Sequence, residues 1–114
     1  MLKFYRELPE EIIDILSISN GWLIGSSIEK IIDKKDITDY DIIVPKDNYR
    51  TIFRYINRYK PIFNNHGGIK VTTEKFSIDI WIDSLETYLL SVGGNFTYAY
   101  NFNKNLLISN VKET

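Results

Sequence analysis

The 114-residue sequence contains no cysteine and only one histidine, His66. Without cysteine there can be no disulfide bond, no zinc site with thiolate ligands and no cysteine nucleophile. His66 lies within the turn sequence Asn64-Asn65-His66-Gly67-Gly68, which indicates an exposed loop residue rather than a catalytic base. The missing residue types therefore exclude several common classes of catalytic and metal site.

Long apolar runs are also missing. The longest runs are only a few residues, too short to span a bilayer, so no membrane partner is expected. The N-terminal sequence MLKFYRELPEEII has acidic residues where a signal peptide needs an uninterrupted apolar stretch. With 44% apolar and 25% charged residues, the composition predicts a soluble, cytoplasmic protein with a single domain over residues 1–114.

Excess charge of either sign is missing as well, because the formal net charge is −1. The whole chain therefore has no electrostatic footprint for long RNA or DNA, which leaves small nucleotides or an acceptor held by a local patch. One local feature is basic: Arg50, Arg54 and Arg58 recur every fourth residue along a predicted helix over residues 46–60. This row is either a solvated helix face or a stripe that contacts the phosphates of an RNA acceptor.

The most informative stretch spans residues 21–44, GWLIGSSIEKIIDKKDITDYDIIV. It predicts a short buried strand, a tight turn at Gly25, an amphipathic helix, a polar loop and a second strand. Ser26 and Ser27 fall where the helix begins, so hydroxyls and free backbone N–H groups are available to bind phosphate. The turn is therefore a candidate phosphate site.

The second strand begins with Asp39-Tyr40-Asp41. Since side chains alternate along a strand, the Asp39 and Asp41 carboxylates project from one face, with Cα atoms about 6.6 Å apart. Carboxylates so placed can converge on divalent cations. Tyr40, Ile42 and Val44 alternate with them and can enter a core.

A third carboxylate is predicted on a later strand, residues 76–82. Asp79, Trp81 and Asp83 share one face of it, and Asp83 lies about 13 Å beyond Asp79, too far for a compact shared site. If the two strands are neighbours, Asp79 joins Asp39 and Asp41. Three converging carboxylates repel one another unless cations lie between them, which implies Mg²⁺. Trp22 and Trp81 fall on predicted strands and are expected to be packing residues, although Trp81 shares a face with Asp79 and could border a nucleobase.

The remaining pattern predicts a mixed α+β fold, with a small sheet and helices packed on one face. The further predicted elements are a helix from Pro9 to about residue 19, a hairpin of strands 69–73 and 76–82 joined at Glu74-Lys75, a short helix 85–90 and a final strand around 106–108.

The order of these segments resembles the polymerase-β-type nucleotidyltransferase superfamily. Within it, the chain is most similar to the head domain of CCA-adding enzymes and bacterial poly(A) polymerases. The resemblance covers residues 21–110. It is carried by Gly25-Ser26, twelve intervening residues and Asp39-Tyr40-Asp41, then by Phe76-Ser77-Ile78-Asp79-Ile80-Trp81 and Asn95-Phe96-Thr97-Tyr98-Ala99-Tyr100-Asn101.

The resemblance implies a Mg²⁺-dependent nucleotidyltransferase that moves NMP from an NTP, such as ATP, to a hydroxyl of RNA, protein or a small molecule. Asp39, Asp41 and Asp79 would be the catalytic, metal-binding residues of a two-metal site, with Asp79 as a proton acceptor. Gly25, Ser26 and Ser27 would bind the nucleotide.

The chain also departs from the family pattern. Glu29 and Lys30 stand where the family has Arg-Asp, and Gly93-Gly94-Asn95 stands where it has Arg-Arg-Asp. We expect no counterpart of the family's helical neck and body, which select the base and hold the tRNA. We therefore expect a minimal head domain that leaves substrate selection to a partner protein or a second copy. The alternative is a nucleotidyltransferase-like regulatory module of the antitoxin type, with little or no turnover.

Overall fold

The computed structural model describes residues 7–65, 67–91 and 98–109. His66, Gly93, Gly94 and the Asn95-Phe96-Thr97 part of the family-like segment lie outside the described residues. The helices are α1 (Glu10–Ser19), α2 (Ser26–Ile32), α3 (Tyr49–Ile56) and α4 (Leu85–Ser91). The strands are β1 (Trp22–Ile24), β2 (Asp39–Val44), β3 (Ile62–Phe63), β4 (Gly68–Thr72), β5 (Ser77–Ile82), β6 (Tyr98–Asn101) and β7 (Leu106–Ser109).

The strands form one mixed sheet in the order β3-β4-β5-β2-β1-β6-β7. β2 and β5 run parallel, and the other described neighbours are antiparallel. A parallel pair needs a long crossover, which α3, β3 and β4 supply. The predicted hairpin at Glu74-Lys75 joins β4 to β5. Within the hairpin turn, the Thr73 hydroxyl accepts hydrogen bonds from the backbone N–H groups of Lys75 and Phe76. The predicted adjacency of the two carboxylate-bearing strands is therefore confirmed.

One face of the sheet carries the main core. Along β2, the side chains of Tyr40, Ile42 and Val44 are buried there, as their alternation predicts. Buried residues of α1, α2 and α3, including Leu16, Ile28 and Ile52, cover this face. Each fully buried isoleucine or leucine side chain stabilises the fold by about 1.5–3 kcal/mol relative to an exposed one.

The opposite face carries the aspartates and a second, smaller apolar cluster. This cluster is made of Ile24, Ile43 and Ala99, with Leu85 and Tyr88 of α4 packed against it. The predicted mixed α and β fold is confirmed, with α1, α2 and α3 on one face and the short α4 added on the other. The predicted helix over residues 46–60 is α3 flanked by single 3-10 turns, Lys46–Asn48 and Asn57–Tyr59.

Candidate functional site

The centre of the site is a pair of aspartates on adjacent strands. The parallel register of β2 and β5 places Asp41 directly beside Asp79. Neighbouring strands lie about 4.8 Å apart. The separation of Asp41 and Asp79 is therefore well below the roughly 10 Å beyond which the two could not share a cation. Asp39 precedes Asp41 by two residues on the same face and is paired in register with Ser77.

Asp41 is half-buried, and its carboxyl is harder to ionise than usual. Burial raises the pKa of Asp41, and the nearby negative charges of Asp79 and then Asp39 raise it further. The mutual repulsion expected of converging carboxylates is therefore present around Asp41. A cation bound between these groups would relieve it.

Asp39 behaves in the opposite way because it is exposed and hydrogen-bonded. A hydrogen bond donated by the Ser77 hydroxyl, at 2.5 Å, is the main reason that the pKa of Asp39 is lowered. Desolvation is the second-largest effect and opposes this lowering, while the Thr38 hydroxyl and the positive charges of Lys70 and Lys30 lower the pKa further. The Asp39 carboxylate is thus ionised and held against β5.

The Gly25 turn lies against this carboxylate pair. Gly25 has φ +80° and ψ −162°, a conformation that is essentially limited to glycine. A Cβ atom at this position would lie 2.9 Å from Oδ2 of Asp41. Because glycine has no Cβ atom, the backbone of the turn approaches the Asp41 carboxylate more closely than it could with any other residue at position 25. The sequence predicted the turn, but the contact with Asp41 depends on the antiparallel pairing of β1 with β2.

The two serines after Gly25 face different environments. Ser26, the first residue of α2, is exposed, and no side chain caps the helix, whose N-cap position is Gly25. Ser27 is buried and its hydroxyl donates to the Ile24 carbonyl oxygen at 3.5 Å. Both residues stay predictions as nucleotide ligands, Ser26 through its hydroxyl and backbone N–H, and Ser27 through its backbone N–H.

A cavity of about 400 Å³ opens beside Asp41. Its apolar and aromatic lining includes Ile24, Ile43 and Trp81, and Asp41 contributes a carboxylate. The other lining residues are Gly25, Asp83 and Tyr88. The cavity thus joins a turn, a carboxylate and flat aromatic surfaces in one place.

Sequence reasoning gave no role to two residues near this site, Tyr88 and Lys70. It excluded Asp83 only from a compact metal site shared with Asp79, and Asp83 lines the cavity with Asp41. Tyr88 reaches the cavity from α4; burial and, secondarily, the charge of Asp41 raise the pKa of Tyr88. Lys70 faces Asp79 across β4 and β5. The hairpin register could have located Lys70, but no sequence signal brings Tyr88 to Asp41.

The donor chemistry of the site suits Mg²⁺. Among the described residues, no three His, Cys, Asp or Glu side chains are grouped so as to hold a metal ion by themselves. Magnesium usually binds one or two carboxylates together with substrate phosphates rather than an all-protein cage. Asp41 and Asp79, next to the Gly25 turn, match that requirement because both carboxylate and phosphate oxygens would be available there.

Comparison with solved structures agrees with this geometry. A CCA-adding enzyme in complex with CTP superposes with a TM-score of 0.66 over 93% of this chain, at 16% identity. The chain has a nucleotidyltransferase-like fold. A CCA-adding enzyme complex with ATP gives a TM-score of 0.64 over 93% at 14% identity, and the Thermotoga maritima CCA-adding enzyme complexed with tRNA gives 0.67 over 92% at 15%.

The likeness is one of fold and covers only part of the larger proteins. The chain spans 30% of the length of the CTP and tRNA complexes and 31% of that of the ATP complex. No protein-family model and no curated protein sequence matches the chain. None of the helices within the described ranges is both long and apolar enough to cross a membrane.

Proposed function

We propose that the protein is a Mg²⁺-dependent nucleotidyltransferase that transfers NMP from an NTP to a hydroxyl acceptor. The observation that carries the proposal is the side-by-side placement of Asp41 and Asp79, with the Gly25 backbone packed against Asp41. A phosphate-binding turn next to paired carboxylates is the arrangement that a nucleoside triphosphate requires.

In this proposal the triphosphate binds at the Gly25 turn, where Ser26 donates its hydroxyl and backbone N–H to the terminal phosphates. Asp41 and Asp79 would hold Mg²⁺ together with the phosphate oxygens, and Asp39, two residues before Asp41 on the same face, would join them when the nucleotide binds. The ion would neutralise phosphate charge and lower the pKa of the acceptor hydroxyl. The base of ATP or another NTP lies against Trp81 and Tyr88, whose rings line the cavity.

The reaction is an in-line displacement. The acceptor oxygen bonds to the α-phosphorus, the bond from the α-phosphorus to the bridging oxygen breaks, and pyrophosphate leaves with that electron pair. The proton of the attacking hydroxyl passes to Asp79. The acceptor is RNA, a protein or a small molecule, and a partner protein or second copy presents it. We propose the cytoplasm as the compartment of this reaction.

The test is to incubate the protein with each labelled NTP, Mg²⁺ and total cell extract, and to identify the macromolecule that becomes labelled. A direct binding assay accompanies it. Because the chain has only two tryptophans, Trp22→Phe leaves Trp81 as the single indole reporter. Quenching of that fluorescence by NTP is expected. Labelling that persists in Asp41→Asn would contradict the proposal.

A second candidate is a regulatory module that binds nucleotide with little or no turnover. It is favoured by the engagement of Asp39 with two hydroxyls and by the inward orientation of the Ser27 hydroxyl. The two functions differ in one measurable respect. Saturable, Mg²⁺-dependent NTP binding without pyrophosphate release would favour the regulatory module.

A further inference from the structure

The arginine row of α3 lies on a part of the molecule that the proposed reaction does not use. α3 packs its buried residues Ile52 and Ile56 into the main core, on the face of the sheet opposite to Asp41. Arg50 and Arg54 are exposed on this helix, and Arg58 is exposed on the 3-10 turn that follows it, Asn57–Tyr59. Any ligand of the row therefore binds away from the cavity and the aspartate pair.

The contacts described for the row are with aromatic rings and a carbonyl group. Arg50 donates to the Tyr49 hydroxyl and lies 5.8 Å from the centre of its ring. Arg58 lies 4.4 Å from the centre of the Tyr55 ring and donates to its backbone carbonyl. Lys46 and Lys60 add positive charge at the two ends of the segment, and Asp47 is the single carboxylate in residues 46–60. The segment thus carries a local net charge of +4, from five basic residues and one acidic residue.

A line of aromatic side chains runs beside the arginines. Phe53 contacts Tyr49 and Phe63 edge to face, with ring centres 5.5 Å and 5.8 Å away respectively. Phe63 is 60% exposed although it is apolar. A solvated charged helix face does not account for a large aromatic side chain left in water next to it.

We infer that Arg50, Arg54, Arg58, Tyr49, Phe53 and Phe63, here named the basic-aromatic surface, bind single-stranded nucleic acid. Cations follow the phosphate backbone, while an exposed ring such as Phe63 stacks on an unpaired base. Charge complementarity selects this occupant, because a polyanion gains from each exposed arginine, whereas an apolar protein surface would have to desolvate the arginines. The inference goes beyond the proposed transfer reaction, because it concerns binding without NTP or Mg²⁺.

The test measures fluorescence anisotropy of a labelled single-stranded RNA of about 16 nucleotides, in EDTA, over a range of salt concentrations. The variant R50Q/R54Q/R58Q removes three charges from the surface. The matched control K34Q/K35Q/K104Q removes three exposed charges from the α2–β2 loop and the β6–β7 turn. We expect more than tenfold weaker binding for the arginine variant only, with the slope of log K against log salt reduced by about two units.

Two further variants separate this surface from the other possibilities. Phe63→Ala should weaken RNA binding roughly tenfold through lost stacking, while Asp41→Asn should leave it unchanged. Failure of the wild-type protein to bind RNA at low salt, or equal weakening by the lysine control, would overturn the inference. Dimerisation that is lost in R50Q/R54Q/R58Q would also overturn it, since the surface would then join two copies of the chain.

Discussion

The two faces of the sheet use the same strands for opposite purposes. On β2, Tyr40, Ile42 and Val44 enter a core covered by three helices, whereas Asp39, Asp41 and Ile43 lie on a face covered only in part by α4. The helix-covered face is closely packed and apolar. The other combines a glycine turn, three carboxylates and a cavity. This division shows that the stability of the fold and the chemistry of the site can be altered separately by changing neighbouring residues.

Asp41→Asn should have the largest effect on activity, a loss of at least about a hundredfold, because it removes a charged cation ligand. The fold should be retained and slightly stabilised. The pKa of Asp41 is raised in the folded protein, so the fold favours the neutral carboxyl group. The contribution of this group to stability is therefore complete below its pKa in the unfolded chain and is lost as the pH rises through its pKa in the folded protein.

Labelled-NTP incorporation and thermal unfolding in EDTA measure these two effects, with the exposed loop variant Asp36→Asn as the control. A thermal destabilisation by Asp41→Asn as large as that of a core deletion would show that Asp41 is structural. The stability gain should be present at neutral pH and disappear in acid.

Ile42→Ala tests the other face of the same strand. Ile42 is fully buried, so truncation should lower the free energy of unfolding by about 2–5 kcal/mol. NTP affinity of the protein that remains folded should be unchanged. Urea denaturation measures the loss, and Ile62→Ala, at a 66% exposed position, should change stability by less than about 0.5 kcal/mol.

Gly25→Ala should affect both stability and binding, because the turn joins the two regions. The positive φ should cost about 1–3 kcal/mol, and the added Cβ would displace the Asp41 carboxylate. Gly67→Ala is a matched control, with φ +82° and no atom within 4 Å of an added Cβ. Denaturation should show a similar loss in the free energy of unfolding for both variants, because both place alanine at a positive φ. NTP titration should show weaker nucleotide binding only in Gly25→Ala.

Ser26→Ala should have a smaller effect, confined to binding. Ser26 makes no capping hydrogen bond, so stability should change by less than about 0.5 kcal/mol, whereas NTP affinity should fall about tenfold. Ser84→Ala provides the contrast: the Ser84 hydroxyl accepts the Thr87 N–H, and its loss should cost about 0.5–2 kcal/mol. Wild-type NTP affinity in Ser26→Ala would argue against Ser26 as a phosphate ligand.

Ser77→Ala should have the smallest effect, an upward shift in the pKa of Asp39 towards its ordinary value. The Ser77 hydroxyl makes the largest contribution to lowering that pKa. NMR titration of the Asp39 carboxyl carbon measures the shift. Thr38→Ala removes a longer hydrogen bond of 3.3 Å and should raise the pKa of Asp39 by less. A larger rise than in Ser77→Ala would show that Thr38, and not Ser77, contributes most to lowering that pKa.

Local patterns were sufficient to predict many of these features. Side-chain alternation placed Asp39 and Asp41 on one face, turn chemistry predicted the β4–β5 hairpin, and the resemblance predicted a nucleotidyltransferase-like fold. The roles of Gly25, Ser26, Ser27 and the three aspartates in binding and catalysis stay predictions. These local features are predictable because each depends on residues only a few positions apart.

Long-range pairing decided what local patterns could not. Asp79 stands beside Asp41 because β2 and β5 pair in parallel in one register; a shift of one residue would send Asp79 into the core. Gly25 contacts Asp41 only through the β1–β2 pairing, and Tyr88 reaches the cavity only where α4 packs on the sheet. The sequence by itself determined which residues could carry the chemistry, since residue type and alternation are local. The tertiary structure alone decided which of them meet, because their separation depends on how distant segments pack.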